Sequence, residues 1–181
     1  MITTKGLTKW CQDEGMPAVA ITDRNNLFGA LELSESLAGA GVQPIMAVCF
    51  DVPAGAPQET ITRLSLYAQN KQGYARLMAL SSYAYLDAED GVPRIHKKYL
   101  LEKTEGLIVL TGGVEGDVAR LLLKGKTEDA KAALETLATS FPGRCYVEIT
   151  RHGAPEEIQC EPMLLALAYE LDLPIVASHD A

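Results

Sequence analysis

The chain has 181 residues, of which 48% are apolar, and its formal net charge is −8. This length suits one domain, residues 1–181, with a full hydrophobic core. No apolar run approaches the ~20 residues that cross a membrane, and no signal peptide opens the chain. The cysteines (Cys11, Cys49, Cys145, Cys160) form no CxxC pair, which favours reduced thiols. We therefore expect a soluble cytoplasmic protein without membrane contact.

The charge balance bears on nucleic acid. Acidic residues outnumber basic ones by 24 to 16, and no basic run is longer than Lys97-Lys98. A surface that grips a phosphate backbone needs clustered Lys and Arg. The sequence thus predicts no direct nucleic-acid binding by this chain.

The first half of the chain has the pattern of a strand-helix-strand unit. Short apolar runs with β-branched residues predict buried strands, and apolar residues at helical spacing predict the helices. Asn25 or Asn26 is expected to cap the second helix, and Gly39 to end it. The predicted elements are a helix over Thr3–Glu14, a strand over Ala18–Thr22, a helix from Leu27 to Gly39, and a strand over Pro44–Val52.

The second half continues the alternation of strands and helices. Thr127 is expected to cap one helix, and Pro162 to kink or restart another. The predicted strands are Ile61–Ala68, Leu107–Leu110, Cys145–Thr150 and Pro174–Ser178; the predicted helices are Tyr74–Leu86, Lys97–Lys103, Gly116–Lys124, Thr127 to about Pro142, and Pro155–Leu171. Six strands that alternate with helices indicate an α/β protein with a parallel sheet or barrel. Periodicity leaves open whether the barrel closes.

Several stretches together carry a family resemblance. They are MPAVAITDRNNLFGALE, GVQPIMAV, LYAQNKQGYARLMALSSYAYL, EGLIVLTGG, CYVEITRHG and LDLPIVASHD. In order and spacing they resemble the PHP (polymerase and histidinol phosphatase) domain at the amino end of bacterial DNA polymerase III alpha subunits. The resemblance implies a distorted, TIM-like β/α barrel of seven strands, whose first strand would precede Met1. It also implies a parent DNA-directed DNA polymerase (a nucleotidyltransferase of DNA replication) whose polymerase domains lie outside this chain.

The resemblance bears on metal binding as well. PHP active sites use His, Asp, Glu and Cys side chains to hold two or three metal ions that activate water. At the matching positions this chain has Arg24, Cys49, Arg63 and Gly113, and it keeps only Asp180. The resemblance therefore implies a degenerate site with no catalytic residues and no cofactor, with zinc or manganese as the alternative.

Three questions about these residues stay open at this level. Arg24 and Arg63 could pair with Asp23 or Asp180, or they could hold a phosphate. A rim site could form from Asp23, His152, His179 and Asp180, because these residues follow strands. Cys49 could be a nucleophile if Arg24 lowered its pKa, or a small buried apolar residue.

Two functions fit the sequence. The first is a non-catalytic PHP segment whose partners are the rest of the polymerase alpha subunit and, by resemblance, a proofreading exonuclease. The alternative is a free-standing metal-dependent phosphoesterase of the PHP family.

Overall fold

The computed structural model describes residues 3–54, 60–88 and 90–179. In chain order, its elements are α1 (Thr4–Asp13), β1 (Ala18–Arg24), α2 (Ala30–Gly39), β2 (Gln43–Pro53), β3 (Ile61–Ala68), α3 (Lys71–Leu86), α4 (Lys97–Leu101), β4 (Leu107–Leu110), a 3₁₀ turn (Gly113–Glu115), α5 (Asp117–Leu123), α6 (Thr127–Ser140), β5 (Cys145–Ile149), α7 (Pro155–Glu170) and β6 (Ile175–Ala177). The alternation of strands and helices that the sequence predicts is confirmed.

The six strands form one sheet in chain order, from β1 to β6. Neighbours pair in parallel except for β3, which runs antiparallel to both β2 and β4. The expectation of a wholly parallel sheet is therefore wrong at this strand. The physical reason is the short connection after β2: Pro53 pairs with Ile61, and so few residues cannot form the crossover that parallel strands need.

The sheet is curled into a partial barrel. Residues at the end of β1 and residues just after β6 line the same cavity, although these strands stand at opposite edges of the sheet. Because β3 is reversed, its first residues lie at the rim where the other strands end. This rim collects the polar side chains.

The helices cover the outer face of the sheet with two apolar clusters. The larger one joins the sheet to α3–α7 and includes the fully buried Phe50, Leu66 and Leu134. The smaller one packs α1 and α2 against β1 through Cys11 and Leu37. Burying each large apolar side chain contributes about 1.5–3 kcal/mol to the free energy of folding. The outer face of the sheet therefore supplies the apolar stabilisation, and the inner face carries polar groups.

Several helix ends differ from the sequence predictions. Helix α2 begins at Ala30, because Asn25 adopts a left-handed φ of 61° and Asn26 accepts a hydrogen bond from the Phe28 amide instead of capping a helix. Lys126, rather than Thr127, stands at the cap position of α6. Helix α7 continues through Pro162 without a break. Within the described ranges, no helix is both long and apolar enough to cross a membrane.

Candidate functional site

A polar cavity of about 380 Å³ lies inside the curled sheet at the rim where most strands end. Alternate residues along a strand face the same side, so the inward positions of several strands meet here. From β1–β3 the cavity is lined by Thr22, Arg24, Cys49, Arg63, Ser65 and Tyr67. The opposite side is lined by Glu148 of β5, by Thr150, His152 and His179, which follow β5 and β6, and by Glu157 of α7.

Arg24 is bound to a carboxylate that the sequence analysis did not consider. Its Nε lies 2.8 and 2.7 Å from the two carboxylate oxygens of Asp51, on the neighbouring strand. The side chain of Asp51 is only 8% exposed, while that of Arg24 is 57% exposed. The hydrogen bond to Asp51 raises the pKa of Arg24, so this guanidinium stays charged.

The side chain of Asn25 binds both the carboxylate and the backbone N–H of Asp51. Its amide nitrogen donates to Asp51 Oδ2 at 2.9 Å, and its side-chain oxygen accepts the Asp51 backbone N–H at 2.8 Å. Asn25 is buried, and its left-handed backbone turns the chain so that this reciprocal pair can form. Asp51 is therefore fixed by two partners before any ligand is considered.

Arg63 completes the charged network on β3. Its guanidinium forms an ion pair with Glu115 of the 3₁₀ turn, and its Nε lies 3.9 Å from Asp51 Oδ1. The two arginines thus pair with Asp51 and Glu115. The structure places Asp23 elsewhere, on the outer side of β1, where it accepts the Gly29 amide at 3.0 Å.

Cys49 lies between these charges but is not activated by them. Burial raises the pKa of its thiol, and this effect outweighs the lowering by Ser65 and by the charge of Arg63. A thiol that stays protonated is a poor nucleophile. The geometry therefore favours a small packing residue.

Glu148 is the buried acid on the opposite wall. It accepts the Gly112 amide at 2.9 Å and the Ser178 hydroxyl at 2.5 Å. Gly112 has a φ of 84°, and a Cβ at this position would lie 2.1 Å from the Arg63 carbonyl oxygen. Only glycine therefore lets this turn approach β3, and Gly113 follows it as the first residue of the 3₁₀ turn.

His152 and His179 meet at the rim, as their positions after strands suggested. Their ring centroids are 4.7 Å apart in an edge-to-face arrangement. Nδ1 of His152 lies 2.9 Å from Glu157 Oε1, and the other carboxylate oxygen accepts the His152 and Ala154 amides. The hydrogen bond from His152, aided by those amides, lowers the pKa of Glu157 to about 2. Asp180, the fourth residue of the predicted rim site, lies outside the described residues.

The sequence analysis missed Asp51, Glu115, Glu148 and Glu157. Two of them could have been found from strand alternation: Asp51 follows Cys49 by two positions in β2, and Glu148 precedes Thr150 by two. Glu115 and Glu157 lie in a turn and a helix, where the pattern gives no inward direction.

Among the described residues, the donor groups of this cavity lack the arrangement of a metal site. In the described part of the chain, no group of three or more His, Cys, Asp and Glu side chains is placed to hold a metal ion. Asp51 and Glu115 are bound to arginines, and Glu148 and Glu157 to backbone amides. The described residues do not fit a metal cluster.

The fold and the cavity define a class of protein. A solved structure from Bifidobacterium adolescentis, of a protein assigned as a metal-dependent phosphoesterase, matches with a TM-score of 0.56 at 14% identity, over 97% of this chain and 81% of that chain. The PHP domain profile matches residues 1–152. The chain belongs to the PHP domain family, and the expected fold of an incomplete, TIM-like barrel is confirmed.

Within that family, the chain is similar to DNA polymerase III alpha subunits. The chain is 45% identical to the DNA polymerase III subunit alpha of Caulobacter vibrioides over 95% of its length, and 38% identical to that of Vibrio cholerae over 92%. It is 36% identical to the Escherichia coli K12 subunit over 98%. The chain spans only 14–16% of the length of these relatives, so it corresponds to a PHP segment of them.

Proposed function

We propose that this chain is the PHP segment of a DNA polymerase III alpha subunit and that it acts there as a structural and docking unit. It would catalyse no reaction of its own, and the DNA-directed DNA polymerase activity would belong to other parts of that subunit. The similarity to three alpha subunits along nearly the whole chain supports this assignment.

The observation that carries the non-catalytic part is the bonding of Arg24 to Asp51. A guanidinium is positive at any working pH and cannot ligate a cation. It also occupies both oxygens of the nearest buried carboxylate. By resemblance, Arg24 and Arg63 stand where metal phosphoesterases of this family have histidines, so fixed positive charges would replace bound ions.

These charges join elements of the barrel. The Arg24–Asp51 pair links β1 to β2, and the Arg63–Glu115 pair links β3 to the turn before α5. Metal ions can brace a barrel mouth, and these pairs would do so without them. A braced domain suits docking to the rest of the alpha subunit and, by resemblance, to a proofreading exonuclease. Its location would be the cytoplasm.

One observation favours a second candidate, a metal-dependent phosphoesterase using zinc or manganese. His152 and His179 are in contact at the rim, and imidazole is a common ligand of zinc. The bond between His152 Nδ1 and Glu157 is compatible with this role, because metal-ligating histidines commonly donate their other ring N–H to a carboxylate. Against this candidate, the described residues include no group of three or more His, Cys, Asp and Glu side chains placed to hold a metal ion, so the site would have few donors.

The two candidates differ in metal content and turnover. The purified chain would be assayed for zinc and manganese and for hydrolysis of a simple aryl phosphate, beside Arg24→Ala, His179→Ala and the exposed control His96→Ala. We expect far less than one metal ion per chain, and no turnover in any sample. Stoichiometric metal or turnover that is lost in His179→Ala and kept in His96→Ala would favour the phosphoesterase instead.

A further inference from the structure

A second cavity, of about 440 Å³, lies on the other side of the β2–β3 pair from the first and faces α4, α5 and α6. Its walls come from the end of β2, the first residues of β3, α5 and α6. Its size is within the range of small-molecule sites. Arg63 borders both cavities, whereas Lys97, Arg120, Lys124 and Lys126 border only this one.

This second cavity is strongly basic. Five of the sixteen Lys and Arg residues of the chain line it: Arg63, Lys97, Arg120, Lys124 and Lys126. Asp117 is the one acidic residue in this lining. The first cavity has the opposite balance, with two arginines against Glu115, Glu148 and Glu157. In a chain with a net charge of −8, such a concentration of cations marks a place where an anion is favoured.

Two of these cations are not neutralised by the protein. Lys97 pairs with Asp117, Lys126 with Asp129, and Arg63 with Glu115. Arg120 and Lys124 form no ion pair with any residue in the part of the chain that the structure describes. Arg120 is half-buried. Its guanidinium nitrogens are not among the buried polar atoms that lack a hydrogen bond, so solvent reaches them.

The spacing of Arg120 and Lys124 strengthens this point. Like charges four residues apart on a helix repel each other and destabilise it unless a counter-charge lies between them. The C-terminus of α5 favours cations and accounts in part for both residues, because Arg120 lies in its last turn and Lys124 stands at its cap position. It does not account for Arg63 of β3 and Lys97 of α4, which line the same cavity.

The same cavity has an apolar wall. Leu121 lies beside the cations on α5, and the buried Val118 and Leu137 close the wall behind it. A ligand that fits both parts has an anionic end and an apolar body. Arginine offers a planar fork of donors that matches phosphate oxygens, and lysine adds a point charge.

We propose that this cavity binds a phosphorylated small molecule of mononucleotide size. Its phosphates would lie against Arg120 and Lys124, and its apolar portion against Leu121. This site is separate from the cavity inside the sheet and does not depend on the function proposed for it.

The test is calorimetric titration of the full chain with a nucleoside triphosphate, tripolyphosphate, the free nucleoside and a single-stranded oligonucleotide. The variants are Arg120→Met and Lys124→Met. The matched control is the double variant Lys5→Met and Lys9→Met on α1, which removes two charges far from the cavity in sequence. Thermal melts of all variants show that each one folds.

We expect the triphosphate to bind with a submillimolar Kd that rises at least about ten-fold in Arg120→Met, a loss of about 1.4 kcal/mol. The double lysine control should bind as the parent does. Absent binding, or equal binding by parent and Arg120→Met, would overturn the proposal. If tripolyphosphate binds as tightly as the nucleotide, the proposed apolar contact does not contribute to binding. If the oligonucleotide binds more tightly than the nucleotide, the cavity is a nucleic-acid site instead.

Discussion

Arg24 on β1 and Asp51 on β2 are joined by a single guanidinium nitrogen that contacts both carboxylate oxygens, at 2.8 and 2.7 Å. One partner is mostly exposed and the other almost wholly buried. The two partners therefore differ in what their loss leaves behind. Loss of the arginine leaves a buried anion without its nearest cation, whereas loss of the aspartate leaves a cation that water can solvate.

This inequality predicts the stability of variants. Arg24→Met should lower the free energy of unfolding by about 2–4 kcal/mol, because the buried Asp51 carboxylate would keep only Asn25 and the more distant Arg63 as partners. Asp51→Asn should cost less, about 1–3 kcal/mol, and chiefly by disturbing Asn25. Urea unfolding of both single variants and of the double variant measures their coupling. If the two effects add with no coupling, the pair does not brace β1 against β2.

The acidic Glu157 predicts a pH effect. Its pKa is held at about 2, below its ordinary value of 4.5, mainly by the hydrogen bond from His152. A depressed pKa contributes stability that is present above pH 4.5 and is lost as the pH falls through the folded value. The parent should therefore lose stability between pH 4.5 and about 2. Glu157→Gln should be less stable at neutral pH and lose less on acidification.

The matched control for that experiment is Glu156→Gln, an exposed neighbour on the same helix turn. Melting temperatures from neutral pH down to the acid limit should follow the parent in this control. A Glu157→Gln profile parallel to that of the parent would contradict the role of the His152 hydrogen bond.

The open sheet edges predict self-association. Among the described strands, β1 and β6 have one neighbour each, and Ile175 and Ala177 on β6 are exposed. Exposed edges with apolar side chains are templates for pairing with another chain. We expect the isolated chain to form dimers or larger species, and to bind a hydrophobic dye. Ile175→Lys should reduce both effects in light scattering.

Ile158→Lys serves as the control, since Ile158 is also exposed but lies on a helix. It should leave the association unchanged. A monomeric parent with a sharp cooperative melt and no dye binding would show that the edges are closed in another way.

A last prediction concerns nucleic acid. The net charge of −8 should keep duplex and single-stranded DNA from binding at physiological salt, because too few phosphates can be neutralised. Fluorescence anisotropy of labelled DNA should stay flat up to high protein concentration. Micromolar binding with a steep salt dependence would contradict the prediction and direct attention to the basic cavity.

The sequence predicts elements better than it predicts partners. Alternation and helical spacing are local, so all six strands and the principal helices could be found from it. The direction of β3 depends on the length of a connection and on pairing. Asp51, as the partner of Arg24, depends on which residues of β1 and β2 come side by side, and sequence spacing does not record that register.

Local signals also failed where tertiary contacts overrode them. Asn25 looked like a helix cap, but its side chain binds Asp51 and the Pro93 carbonyl 68 positions away. Pro162 looked like a break, yet packing of Cys160 and Leu164 on the core keeps α7 continuous. Arg24 and Arg63 were identified as departures from the family pattern, and their actual carboxylate partners needed the fold.

The antiparallel β3 also has a consequence for how the chain folds. Pro53 and Ile61 are close in sequence, whereas every other strand pair joins residues separated by a helix. Contacts between near neighbours cost the least loop entropy, so the β2–β3 pair is the natural nucleus of the sheet. Assembly then proceeds outward from this pair, and β6, which lies three strands away from β3, is added last. The same order places the backbone amides of β6 among the least protected in hydrogen exchange.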